Sequence, residues 1–204
     1  TTEAHMTPHA ATLKSAGAPF MTTIPEATPL AYLLRAQVES MRAVLVPADL
    51  EGGEGERAYV PHAGKGGDIG FLQYTSGSTG NPKGVVLSHE NLLVNVQCMG
   101  SAVSAGPTDV FVSWLPLYHD MGLIGGCFAT MFLGFPVVLM SPLAFLTRPS
   151  AWMRAIHRHR GTISGGPNFS YELCLRRIDD KEMEGIDLSS WRFAFNGAEP
   201  VSPV

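Results

Sequence analysis

Cysteine is scarce in this chain: only Cys98, Cys127 and Cys174 occur among 204 residues, and they lie far apart. That spacing supplies neither the framework of a disulfide-stapled fold nor the paired ligands of a zinc site, so all three are expected to be reduced core residues. Charge of one sign is not concentrated either. The 18 acidic and 14 basic residues leave a net charge of -4 and are scattered along the chain, which argues against nucleic acid as a partner. The first thirty residues interleave Pro8, Pro19, Pro25 and Pro29 with polar residues. They lack the charged start and apolar run of a signal peptide, and a cytoplasmic location is the default expectation. Internal repeats and low-complexity tracts are also lacking.

One segment has no charge at all, from Asp120 to Arg148, and its length would suffice for a transmembrane helix. Its residues argue otherwise. Gly122, Gly125, Gly126 and Gly134 are followed by Pro136 and Pro142, and Val137 to Leu139 is a short β-branched-rich run. A buried helix feeding a buried strand fits this pattern, without stable membrane insertion. With 45% hydrophobic residues, the chain can form a sizeable core.

Glu51 to Asp68 is rich in glycine and charge, the composition of an exposed connector. Ile69 to Tyr74 then predicts a strand, broken by the Thr75 to Gly84 cluster, with extended character resuming at Val85 to Leu87. Ser88 is placed to cap a helix carrying Leu92, Val96, Met99 and Val103 on one face, a stripe that helical spacing explains as core. Val110 to Leu115 predicts a strand. After the uncharged segment, Ser150 is placed to cap a helix that Gly161 ends, and Thr162 to Ser164 reads as a brief strand. Asn168 is placed to cap a helix with Arg176 and Arg177 in its last turns. Trp191, Phe193 and Phe195 alternate as strand residues. Strands alternating with helices predict an α/β fold of mostly parallel sheets covered by helices.

Four blocks carry candidate chemistry. Thr75, Ser76, Gly77, Ser78, Thr79, Gly80, Asn81, Pro82, Lys83 and Gly84 combine three glycines, four hydroxyls and a cation. That composition suits nucleotide phosphates, and equally a flexible surface loop. It is not the Walker pattern, since Pro82 and Gly84 stand where that motif needs glycine and serine or threonine. The second block puts Tyr118, His119, Asp120, Met121 and Gly122 at the end of a predicted strand, where sheets of this class keep ligands. There His119 is either a group at such a ligand site or an ordinary turn residue hydrogen-bonded through Asp120. The third block, Gly165, Gly166, Pro167, Asn168 and Phe169, joins a strand to a helix N-terminus, open to a flat or anionic ligand or simply a structural turn. The fourth, Asn196, Gly197, Ala198, Glu199 and Pro200, follows the last strand and reads alone as a turn. His157 and His159, two apart on a helix, point to different faces and do not make a metal pair.

The segment from Phe71 to Asn91 resembles the signature of the adenylate-forming superfamily, which includes acyl-CoA synthetases, luciferases and peptide-synthetase adenylation domains. The wording of Tyr118 to Gly122 and of Ser164 to Cys174 is similar to its fatty acyl-AMP ligase branch. The resemblance runs from Phe71 to Val204, with a weaker echo at Leu13 to Thr23. It implies that a fatty acid carboxylate attacks the α-phosphorus of ATP, giving acyl-AMP and pyrophosphate, for transfer to an acyl carrier protein in lipid or polyketide biosynthesis. It further implies catalytic roles for Lys83, on pyrophosphate with Mg²⁺ sharing the charge, and for His119, on the acid. Thr75 to Gly80 and Lys83 would hold phosphates, Asn196 to Pro200 would lie against adenine, and His119 to Gly122 with Gly165 to Phe169 would border the nucleotide and the acyl tunnel.

Members of that branch continue to a magnesium-binding glutamate, a ribose-binding aspartate, a hinge and a C-terminal domain with a catalytic lysine, none of which has a position here. The resemblance therefore implies residues 1–68 as an incomplete N-terminal portion with its connector, residues 69–204 as a partial AMP-binding core, and a polypeptide inactive by itself. An acyl-CoA synthetase and a nucleotide-binding module without chemistry are the competing expectations.

Overall fold

The structure is a computed structural model that describes residues 2–51, 60–61, 63–75 and 83–201, with side chains from residue 6 onward. Its chain contacts divide it into two units, Thr1–His89 and Glu90–Val204.

The first unit begins with α1 (Thr2–Ala16), which contains Pro8. Its Met6 and Ala10 are buried, with Leu13 packed beside them, at the i, i+4, i+7 spacing of one helical face. Gly17 ends it in the left-handed region at φ 58°, where Gly17 N–H donates to Lys14 and Ala18 N–H to Leu13. These are the paired bonds of a glycine-terminated helix. β1 (Phe20–Thr22) runs parallel to β2 (Ala43–Leu45), separated from it by a 3₁₀ turn at Pro25–Ala27 and by α2 (Thr28–Arg35). Ala31, Leu34, Val38, Met41 and Val44 complete this core. After α3 (Pro47–Leu50), β3 (Ile69–Thr75) pairs antiparallel with β4 (Lys83–Ser88). The strands expected at Ile69 to Tyr74 and Val85 to Leu87 are thus present, each slightly longer.

The second unit is built on a four-stranded parallel sheet in the order β6-β5-β7-β8: β5 is Phe111–Ser113, β6 Val137–Leu139, β7 Ile163–Gly166 and β8 Phe193–Asn196. The helices are α4 (His89–Ala102), a π-helix over Met121–Phe128 continuing into α5 (Ala129–Leu133), then α6 (Pro142–Thr147), α7 (Ser150–His159), α8 (Asn168–Arg177) and α9 (Asp180–Met183). Successive strand residues point to opposite faces. Phe111, Ile163, Phe193 and Phe195 share one face, while Val112, Trp114, Ser164 and Gly166 share the other.

That second face carries an aromatic core. Trp152, fully buried on α7, lies within about 6 Å, ring centre to ring centre, of Trp114, Phe145, Tyr171 and Trp191. Its indole N–H donates to Ser164 Oγ at 2.7 Å, and Ser164 Oγ donates to the Val112 carbonyl at 2.5 Å. One buried hydroxyl therefore satisfies the tryptophan and ties α7 to β7 and β5.

Several helix ends differ from expectation. Pro149, not Ser150, precedes α7, and buried Ser150 donates to Glu182 Oε1 at 2.6 Å. Arg160, not Gly161, takes the left-handed position at φ 52°. Gly161 is required because a Cβ there would lie 2.6 Å from Val112 Cγ2. Pro167 precedes α8, and Asn168 opens the helix by donating to Glu172 Oε1 at 2.8 Å. Trp191 lies just before β8 rather than within it. Of the cysteines, Cys98 is exposed, contrary to the core expectation, while Cys127 and Cys174 are half-buried. Burial pushes the Cys174 thiol up to about 11, which keeps it protonated and unreactive. Among the described residues no helix is long and apolar enough to cross a membrane.

An ion pair fixes the end of α4. Arg192 grips Asp109 with both arms, Nε to Oδ1 at 2.9 Å and Nη2 to Oδ2 at 2.7 Å, and also donates to the Val103 and Ser104 carbonyls. It thus places a cation at the negative end of α4, on two carbonyls just past the helix's last residue. Asp109 is buried and accepts from Thr162 Oγ1 and Gly106 N–H as well. The Arg192 hydrogen bonds hold its carboxyl down at about 2, against burial, which acts the other way. A carboxylate lowered in this way stabilises the fold above its unfolded pKa near 4, by about 2 kcal/mol, and the contribution is lost as pH falls toward 2. Asp109→Asn is expected to lose about 2 kcal/mol at pH 7 in urea unfolding. The gap from the parent should close between pH 4 and pH 2.

Candidate active site

The phosphate-cradle block straddles the β3–β4 hairpin. Thr75 closes β3 and Lys83 opens β4, and the two are paired across the ladder, which sets their Cα atoms about 5 Å apart. Lys83 is exposed. Ser76, Gly77, Ser78, Thr79 and Gly80, with Asn81 and Pro82, lie outside the described residues.

The remaining blocks gather at the C-terminal edge of the parallel sheet, because each follows the end of a strand: His119 to Gly122 after β5, Pro167 to Phe169 after β7, and Gly197 to Pro200 after β8. His119 Nδ1 lies 2.7 Å from Asp120 Oδ1. Met121 N–H also approaches Nδ1, at 3.3 Å, so the ring is held from its Nδ1 side by its two neighbours in the chain. Asp120 Oδ1 also accepts from Met121 N–H at 2.7 Å and starts the π-helix. A Cβ on Gly122 would run into the Pro116 carbonyl oxygen, so this glycine lets the helix fold back against the strand exit. π-turns inside helices often mark functional sites because they re-aim side chains.

Gly165 and Gly166 are needed for contacts within the protein. A Cβ on Gly165 would meet the Phe195 ring at 2.6 Å, and one on Gly166 would meet Trp114 Cζ2 at 2.6 Å and Ser170 Oγ at 2.9 Å. The start of α8 also has a partner for its positive end: Phe169 N–H donates to Glu199 Oε1 at 2.6 Å. Asn196 Nδ2 donates to Asn168 Oδ1 at 3.2 Å, joining the third block to the fourth. Ala198 stands in the left-handed region at φ 70°, a conformation that costs a non-glycine residue roughly 1 kcal/mol or more and recurs at ligand sites. Asn196, Ala198, Glu199 and Pro200 are all exposed, and a flat ring could be laid against them.

Beneath this edge lies a cavity of about 710 Å³, on the sheet face that carries Phe111, Ile163, Phe193 and Phe195. Its other walls come from α4 and from the π-helix with α5. His119, Asp120, Met121 and Ala198 border it. The α4 stripe expected to be core is only partly so: Val96 is buried, whereas Met99 and Val103 line the cavity with Asn95 and Gly100. Sequence reasoning did not find this wall. Its signal was Gly100 in the last turn of α4, before the helix ends at Ala102, where glycine costs helix stability and a close neighbour gives it a packing reason. Among the described residues no three His, Cys, Asp or Glu side chains gather to hold a metal ion, so no residue is assigned to Mg²⁺.

A ligand crevice at the carboxyl ends of parallel strands defines an α/β domain of the kind that binds small molecules at its sheet edge. The chain belongs to the AMP-binding enzyme family, whose sequence pattern it matches over residues 9–204. It is 42% identical over 177 residues to the medium-chain-fatty-acid–[acyl-carrier-protein] ligase TtuA of Teredinibacter turnerae, covering 80% of this chain and 28% of that protein. It is 45% identical over 141 residues to the probable long-chain-fatty-acid–AMP ligase FadD30 of Mycobacterium tuberculosis, covering 65% of this chain and 24% of that one. A solved fatty acyl-adenylate ligase of L. pneumophila, in complex with acyl adenylate and pyrophosphate, superposes with a TM-score of 0.82 at 36% identity, over 95% of this chain and 33% of its own. The chain therefore spans about a quarter to a third of the length of these relatives.

The packing at Gly166 yields a direct test. Gly166→Ala is expected to displace Trp114 and to destabilise the fold by about 1–3 kcal/mol through overpacking, read as a lowered unfolding midpoint together with a shift in tryptophan fluorescence.

Proposed function

We propose that these residues form the ATP- and acid-handling part of an enzyme that activates a fatty acid as its acyl-adenylate, releases pyrophosphate and passes the acyl group to an acyl carrier protein. The observation that carries this reading is the apolar cavity bordered by His119 and Asp120. An apolar pocket with a few polar groups at one end suits a molecule with a hydrocarbon tail and a polar head. The relatives whose names specify fatty acids and carrier proteins support the same substrate and acceptor.

ATP would supply the adenylyl group in this reaction, its α-phosphorus taking the carboxylate oxygen as the bond to pyrophosphate breaks. The chain's residues then act by position and charge. His119, held beside Asp120, faces the head of the acid and orients it by donating an N–H, since carboxylate and phosphate oxygens only accept. Lys83, Thr75 and the hydroxyls of Ser76, Ser78 and Thr79 meet the phosphates, and each hydrogen bond to a charged oxygen is worth about 1.5–3 kcal/mol. Asn196 to Pro200 receive the adenine, and small Ala198 leaves room for the ring. Met121 and Gly122 begin the acyl wall, while Gly165 to Phe169 shape the sheet edge beside them.

The test is fatty-acid-dependent ATP–pyrophosphate exchange by the product of the complete reading frame containing these residues. Lys83→Ala and His119→Ala are each expected to lower exchange by about 10²-fold or more, as removal of a charge-stabilising group does, and the 204 residues alone are expected to give none. Exchange that survives Lys83→Ala within twofold would sink the assignment of Lys83. Efficient acyl-CoA formation on adding coenzyme A would favour a synthetase instead, and ATP binding without turnover would leave only a nucleotide-binding module.

A further inference from the structure

A line of polar side chains runs from the end of β8 along the outer face of α8. Asn196 Nδ2 donates to Asn168 Oδ1 at 3.2 Å, Asn168 Nδ2 donates to Glu172 Oε1 at 2.8 Å, and Arg176 Nη2 donates to Glu172 Oε2 at 2.8 Å. Asn168, Glu172 and Arg176 follow one another four residues apart, so one stripe of α8 carries all three. Asn168 and Glu172 are half-buried, whereas Asn196 and Arg176 stand exposed at the two ends. A further bond ties the same loop to the same helix, since Glu199 Oε1 accepts from Phe169 N–H at 2.6 Å.

The line has a polarity, and its outer end sets it. A guanidinium only donates and a carboxylate only accepts, whereas a side-chain amide does either and can turn over. Glu172 therefore obliges Asn168 to face it with Nδ2, which turns Asn168 Oδ1 toward Asn196. Asn196 must answer with its own Nδ2. Its Oδ1 becomes the end turned away from Asn168.

We propose that Glu172, steadied by Arg176, is a positioning residue that acts through Asn168 so that the Asn196 amide meets the nucleobase with its oxygen. This rests on the reading above, in which Asn196 to Pro200 receive the base. An amide oxygen accepts from the amino group that adenine carries at C6 and repels the carbonyl oxygen that guanine and hypoxanthine carry there. The choice of base is thereby made at a side chain two hydrogen bonds removed from Asn196. Glu172→Gln inverts the line: Arg176 claims the only oxygen of the new side chain, and its amide nitrogen faces Asn168 as a donor. Asn168 then turns over, Asn196 follows, and Asn196 Nδ2 faces the base. Glu172→Lys, which can only donate, has the same effect.

The experiment measures kcat and KM for ATP and for inosine triphosphate, whose base differs from adenine at C6 and N1, in fatty-acid-dependent pyrophosphate exchange by the complete protein. The parent is expected to favour ATP by about tenfold or more in kcat/KM, since a bond to the amino group is gained and a repulsion between two acceptors avoided. Glu172→Gln and Glu172→Lys should each lower that preference by about tenfold through the nucleotide KM, with the KM of the acid unchanged. Arg176→Met alone should keep the preference, because the carboxylate still accepts. Added to Glu172→Gln, it should recover part of the preference, because the amide oxygen is then free to accept from Asn168. Glu172 variants that fold, as judged by thermal unfolding, yet keep the parent's preference or weaken both nucleotides equally would overturn the relay alone. A parent that uses both nucleotides equally would overturn it too, whether or not the variants fold. A folded parent without acid-dependent exchange on either nucleotide would overturn the reading on which the relay rests.

Discussion

The second unit depends on the alternation of side chains across three short parallel strands. Because successive residues face opposite ways, β5, β7 and β8 divide the unit into a dense side and an open side. The dense side is anchored by Trp152, whose indole is satisfied by Ser164, itself bonded to Val112. The open side carries Phe111, Ile163, Phe193 and Phe195 and has the cavity instead. A well-packed core on one face holds the strands firmly enough for the other to be left unfilled, since tight packing transmits little slack.

Glycine fits this division. Gly161, Gly165 and Gly166 all stand where protein atoms occupy the Cβ position, against Val112, Phe195 and Trp114. Gly100 does the same on the cavity side, against Leu133. None of these four has a left-handed backbone. Their conservative replacement is a question of space, unlike at Gly17 or Gly134, where it is a question of dihedral angle. Arg192 completes the frame by fastening the end of α4, the helix that walls the cavity, to Asp109.

Much of this was legible beforehand. The strands at Ile69, Val110, Val137 and Thr162 announce themselves as short apolar runs bounded by glycine, proline or polar residues, and the α/β class follows from their alternation with helices. The caps were less legible. Ser150 and Asn168 are good capping residues, yet Ser150 spends its hydroxyl on Glu182 and Asn168 its amide on Glu172; the choice is made by distant partners that no local pattern reveals. Arg160 rather than Gly161 takes the left-handed turn, and Gly161 instead leaves room for Val112, a neighbour 49 positions away that no local pattern reveals. The cavity wall on α4 was read as core, since a helical stripe of apolar residues looks the same whether it faces packed atoms or an open space.

By itself, then, the sequence determined the order of elements, the four motif blocks and their resemblance to adenylate-forming enzymes, because residue types at fixed spacing carry that information locally. Tertiary structure alone decided that three of those blocks share one sheet edge and that a cavity lined in part by Gly100 and Leu133 lies below them. These features depend on contacts between residues tens of positions apart. Only the folded chain brings such residues within a few ångströms, and sequence spacing does not encode that distance.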